Sequence, residues 1–216
     1  MTKILDTKID QVKENIIEIG VLSRNMLKDS VLALYEMDKD RAEEVISRRK
    51  ELTRIKKEIE TKLIRALSLY QPMASDLRTI LCMEQMANSF YRIGRNGKEI
   101  SYIVSEMLDE DHLDEVESIC SMAEEVDAMI NDVIEAFKSD DTTVFENFHN
   151  RDDKIDKLYR TIYSKSVTHI SEDLRHASHC LEYVLAARFL ERCGDHACLM
   201  GEKIIYMLSG EHTDLN

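Results

Sequence analysis

A single proline (Pro72), no tryptophan and six glycines in 216 residues leave too few turn-forming positions for a sandwich or barrel, which needs a turn after every short strand. No run of about 18 uninterrupted apolar residues occurs, so no segment is expected to span a bilayer. The five cysteines (Cys82, Cys120, Cys180, Cys193, Cys198) include no CxxC pair, and their odd number suits buried thiols in a reducing compartment better than disulfides. Cys193 and Cys198, five apart, do not share a helix face and are expected to be packing residues. The N-terminal MTKILDTKID alternates charged with apolar groups and lacks a signal-peptide apolar stretch, so the expected location is the cytoplasm. A net charge of −13 argues against nucleic acid as a partner.

What the chain does have is helix formers, with long stretches rich in Glu, Lys, Leu, Ile, Met and Ala. The few breaks, at residues 38–40, 70–72, 108–111, 139–142 and 169–172, delimit six expected helices: about 3–37, 40–69, 72–107, 112–138, 141–169 and 172–209. Ile9, Val12, Ile16, Ile19 and Met26 form an apolar stripe at helical spacing. So do Val45, Leu52, Ile55, Ile59, Leu63 and Ala66, and further on Phe148, Ile155, Leu158 and Ile162. Charge is divided unevenly. Residues 1–108 hold 19 basic and 17 acidic residues (+2), and residues 109–216 hold 10 and 25 (−15).

The six helices read as two copies of three. Asp76-Leu77-Arg78 recurs as Asp173-Leu174-Arg175, and Arg92-Ile93-Gly94 as Arg192-Cys193-Gly194, at offsets of 97 and 100. A period near 100 is too long for a solenoid and points to a duplicated three-helix bundle. The expected fold is therefore all-α, with tandem pseudo-symmetric bundles at 1–108 and 109–216.

The second copy carries two acidic pairs at helical i,i+4 spacing, Asp152/Asp156 and Glu191/Asp195. If the last two helices form a hairpin turning between Ser171 and Glu172, Asp152 lies level with Glu191, and Asp195 with Phe148, next to His149. The pairs would then face each other within about two turns. Facing carboxylates repel unless a cation bridges them, and an all-oxygen set suits Mg, Ca, Mn or Fe. Solvated acidic faces are the competing explanation. His149 and His196 read as surface residues rather than ligands. Glu202 continues the Glu191/Asp195 face, either as a further ligand or merely solvated. Glu146-x-x-His149 has a di-iron spacing, but such sites need a second copy, which the sequence lacks.

Leu190-Glu191-Arg192-Cys193-Gly194-Asp195-His196-Ala197 resembles the LERIGDHA signature of PhoU proteins. Arg151-Asp152-Asp153-Lys154-Ile155-Asp156 resembles the family's RDxxID pattern, and residues 71–78 (QPMASDLR) its QPxASDLR element. The resemblance runs in order through nearly the whole chain. It implies a non-catalytic regulator of phosphate uptake that works with the phosphate ABC transporter and a sensor histidine kinase. It further implies a metal ion preferring oxygen ligands (Fe, Mn, Mg, Zn or Ca) held by Asp152, Asp156, Glu191 and Asp195. Membrane contact would be peripheral, through partners, and a homodimer is the expected assembly. A carboxylate-bridged di-metal enzyme and a metal-free helical scaffold are the alternatives.

The first copy departs from the pattern. The repeat offsets place Tyr91, Arg95 and Asn96 opposite Glu191, Asp195 and His196, and Arg49 and Thr53 opposite Asp152 and Asp156. Two guanidinium groups at ligand positions exclude a cation site there. Arg49 and Arg95 are expected either to pair with carboxylates such as Glu51 or Glu99, or to bind an anion.

Overall fold

The apolar stripes fold as helices throughout. The computed structural model describes residues 3–107 and 112–215, so the expected boundary between Leu108 and Asp109 lies outside the described residues. The first copy comprises α1 (Lys3–Glu36), α2 (Lys39–Ser47), α3 (Arg49–Tyr70) and α4 (Ser75–Glu106). The second comprises α5 (Glu115–Ser139), α6 (Phe148–Glu172) and α7 (Ala177–Ser209). No strand occurs among the described residues.

Three local features modify the expected boundaries. The single helix expected over 40–69 is interrupted at Arg48, whose N–H is shared between the carbonyls of Glu44 and Val45. Its guanidinium meanwhile bridges Asp29 of α1 (2.6 Å) and Glu44 (2.6 Å), which fixes α2 against α1 at the kink. Pro72 does not begin α4. Gln71 and Ala74 adopt positive φ (45° and 51°), and the turn they make delays the helix to Ser75. Short 3-10 turns at Thr143–Asn147 and Leu174–His176 precede α6 and α7. The side chains of Asp141 and Asp173 accept the N–H of Thr143 and Arg175 there.

All three stripes face inward. Ile16, Ile19, Leu52, Ile59, Ile155 and Ile162 are completely buried, and a single apolar cluster runs through both bundles. The bundles join through α1 against α5 and α4 against α7. Both pairings are antiparallel. Lys13 meets Asp140, while Arg24 grips Asp127 with two hydrogen bonds (2.7 and 2.8 Å) and Asn131 with a third (2.7 Å). On the other seam Arg78 lies over the Tyr206 ring, and Asn96 reaches the Phe189 carbonyl.

A buried hydroxyl closes one end of this interface. Tyr183 of α7 is fully buried, and its oxygen lies 2.7 Å from His112 Nδ1 and 3.3 Å from the Leu113 N–H. His112 Nε2 lies 3.1 Å from the Tyr35 carbonyl, which can only accept. His112 therefore donates from Nε2 to Tyr35, Tyr183 donates to Nδ1, and the Leu113 N–H donates to Tyr183. Tyr183→Phe removes the partner of two part-buried polar groups, His112 Nδ1 and the Leu113 N–H, and is expected to cost about 1 kcal/mol. Urea denaturation measures this, and an unchanged midpoint would contradict the hydrogen-bond chain.

Candidate metal centre

The two acidic pairs do face each other, in a different register from the one expected. Because α6 continues to Glu172 and a 3-10 turn intervenes before Ala177, the hairpin turns later than residues 171–172. Asp152 therefore sits beside Asp195 and accepts a hydrogen bond from the Cys198 thiol, rather than lying level with Glu191. Asp156 sits near Glu191 and Asp195. His149 is exposed, as is Glu146, so the ExxH pair lies outside the bundle core.

Gly194 permits the close approach of α6 and α7. A Cβ there would lie 3.0 Å from Ile155 Cδ1 and 3.6 Å from Asp152 Oδ1. The price of this proximity is electrostatic. Burial, then the neighbouring Asp195 and Asp156, push the Asp152 carboxyl up to about 6 from an ordinary 3.8, although the Cys198 hydrogen bond opposes the shift. Burial and Asp195 raise Glu191, with Arg188 opposing. Burial and Asp156 raise Asp195 against Arg188 and Arg192. Glu191 Oε1 accepts from Arg188 and Asp156 from Arg160 (3.0 Å), while Glu191 Oε2 is buried with no hydrogen-bond partner. A cation among these carboxyl groups would offset both burial and mutual repulsion, but their oxygens do not converge as a ready-made set: no three of the four residues bring ligand atoms within 4.8 Å of one another.

Other residues settle differently. Glu202 accepts the Leu215 N–H (3.2 Å) and so anchors the C-terminal segment. His196 is not a surface residue. It is partly buried toward α4, with its pKa lowered by burial and by Arg92 and Arg192. Cys193 and Cys198 are fully buried, as expected of packing residues, but Cys198 also touches the site through Asp152.

In the first bundle the equivalent region is cationic. Arg95 pairs with Glu99 (3.6 Å), the simpler of the two expectations. Lys98, the counterpart of Cys198 and a residue the sequence reading passed over, is almost fully buried. Its ammonium group lies 2.9 Å from Glu99 and 4.8 Å from the centre of the Tyr102 ring. Sequence reading also missed a grouping of Glu115, His169 and Cys180 at the far end of the second bundle.

Fold and site together define an all-α double three-helix bundle whose paired carboxylates lie in one half only. The sequence profile of the PhoU domain matches residues 16–104 and again 119–204, and the chain belongs to the PhoU family. It is 28% identical over 215 residues to the phosphate-specific transport system accessory protein PhoU homolog of Clostridium acetobutylicum, covering 99% of this chain and 98% of that one. It is 26% identical over 206 residues to the Escherichia coli phosphate-specific transport system accessory protein PhoU, covering 95% and 86%. The crystal structure of PhoU from Pseudomonas aeruginosa superposes with a TM-score of 0.91 at 26% identity, covering 95% of this chain and 99% of that chain. The PhoU structure from Streptococcus pneumoniae, at 22% identity, shares the fold with a TM-score of 0.88, covering 97% and 99%.

Proposed function

We propose that this chain is a non-catalytic accessory regulator of phosphate uptake, acting by contact with subunits of the phosphate ABC transporter and with a sensor histidine kinase. Its metal ion, Fe, Mn, Mg, Zn or Ca, is held by Asp152, Asp156, Glu191 and Asp195 in a second repeat spanning 109–216. The repeat spanning 1–108 has lost those ligands. The protein works in the cytoplasm as a homodimer.

The observation that carries this reading is the collinear match, over nearly the full chain, to proteins named as accessory to phosphate-specific transport. Two features support action through protein contacts. No described helix is long and apolar enough to cross a membrane, which suits membrane contact through a partner. Met73 and Leu174, in the turns before α4 and α7, are each 79% exposed and offer apolar footholds.

The test is binding of the purified protein to immobilised phosphate-transporter subunits, with an unrelated ABC transporter as control. Saturable retention by the phosphate transporter alone is expected. Equal retention by both would defeat the proposal.

A further inference from the structure

The second bundle holds a further group of metal-ligating side chains well away from the acidic ladder. Glu115 opens α5, His169 lies in the last turn of α6 and Cys180 in the first turn of α7. His169 is 17 residues along α6 from Asp152, about 25 Å at helical rise. One potential ligand atom from each residue lies within 4.8 Å of those of the other two.

The Glu115 carboxylate is the unusual member. It is completely buried, and a carboxylate withdrawn from water is costly without a compensating cation. Oε1 faces His169 Nδ1 at 3.0 Å and the Ser166 hydroxyl at 3.4 Å, while Oε2 is buried with no hydrogen-bond partner. A protonated His169 would neutralise the charge but leave that second oxygen without a donor.

We propose that Glu115, His169 and Cys180 form a second metal site that binds a borderline divalent ion, zinc, and ties the ends of all three helices of the second bundle together. The donor chemistry selects the ion. One carboxylate oxygen, one imidazole nitrogen and one thiolate match zinc, whereas magnesium and calcium take oxygen alone. A tetrahedral zinc ion with bonds of about 2.0–2.3 Å holds its ligand atoms about 3.5 Å apart, so side-chain rotation must close about 1 Å. The candidate for the fourth position is His176. Its ring stands edge-on to His169 with centroids 6.3 Å apart, and its Nδ1 is buried with no hydrogen-bond partner.

Cobalt(II) tests the site because a bound thiolate gives it a near-ultraviolet charge-transfer absorption. Chelator-stripped full-length protein is expected to develop this band at one equivalent of cobalt and to lose it when zinc is added. Cys180→Ser should abolish the band and weaken zinc binding by more than about 100-fold, beyond the 10–100-fold cost of losing an outer-shell partner. Cys198→Ser, which removes the thiol beside Asp152, should leave it intact. The band should also persist in an Asp152→Asn/Asp195→Asn variant, which separates this site from the acidic ladder. If Cys180→Ser fails to fold by circular dichroism, His169→Gln replaces it, since that side chain is 28% exposed. His169→Gln must then weaken cobalt binding to a similar degree. No band in the unmodified protein, a band surviving Cys180→Ser, a band lost in Cys198→Ser, or unchanged affinity in His169→Gln would each overturn the site. Glu115 and His169 would then be a simple buried ion pair.

Discussion

Asp152→Asn is expected to stabilise the metal-free protein at pH 7.5 by about 2 kcal/mol while reducing its uptake of a divalent ion. The Asp152 carboxyl titrates near 6 in the folded chain against an ordinary 3.8. Between those values the folded state binds more protons than the unfolded state, so stability falls as pH rises through the window from about 4 to about 6. Above it the deficit is complete, about 3 kcal/mol at most for a shift of this size and about 2 kcal/mol once solvent screening of this part-exposed carboxyl is allowed for. Asparagine carries no charge to repel Asp195 and Asp156, so it escapes the deficit at pH 7.5 but gains nothing below pH 4. The same change removes one of the proposed anionic ligands, so added manganese should stabilise the variant less than the unmodified chain. Urea titrations at both pH values, with and without manganese, measure all of this. A variant less stable than the parent at pH 7.5 would show that the four carboxylates do not strain the apo protein.

Gly97→Val is expected to have the largest effect on folding itself. A Cβ at Gly97 would lie 2.9 Å from the Leu27 nitrogen and 3.0 Å from both Leu27 Cα and the Met26 carbonyl carbon. These are backbone atoms of α1, which cannot rotate aside, so α1 and α4 must separate along their main seam. Overpacking of this kind costs about 3 kcal/mol. At about 2–4 °C per kcal/mol for a chain of this size, the melting temperature should fall by about 6–12 °C. Gly194→Ala makes the comparison. Its nearest neighbour is the mobile Ile155 Cδ1 at 3.0 Å, and alanine recovers about 1 kcal/mol of helix propensity, so its melting point should barely move. Equal melting points for the two variants would show that backbone contact is not what requires glycine at residue 97.

The architecture was legible because its signals are local. Each stripe from Ile9 to Ile162 repeats within one or two turns, and the internal duplication shows as copied tripeptides. The acidic ladder was legible for the same reason, as two i,i+4 pairs. Its register was not, because that depended on whether residues 173–176 continue a helix or form a 3-10 turn, and the Asp173 cap decides it. Pro72 misled in a related way: it suits a first helical position, but the left-handed Gln71 before it and the positive φ of Ala74 beyond it hold it in a turn. Lys98 looked like one more polar residue between Gly97 and Glu99, and only the packing of the bundle shows it buried. Glu115, His169 and Cys180 lie 54 and 11 residues apart in sequence, on three different helices, so no short motif could join them.

The unbroken apolar interior shared by both bundles has a consequence for how such a chain can change over time. Neither copy is a detachable module, and each shields part of the other from water. One copy can therefore carry arginine or lysine where the other carries carboxylates and keep its shape, because its neighbour still packs against it. Duplication followed by fusion of interiors gives the pair a tolerance to drift that a free-standing three-helix unit, dependent on its own small core, would lack.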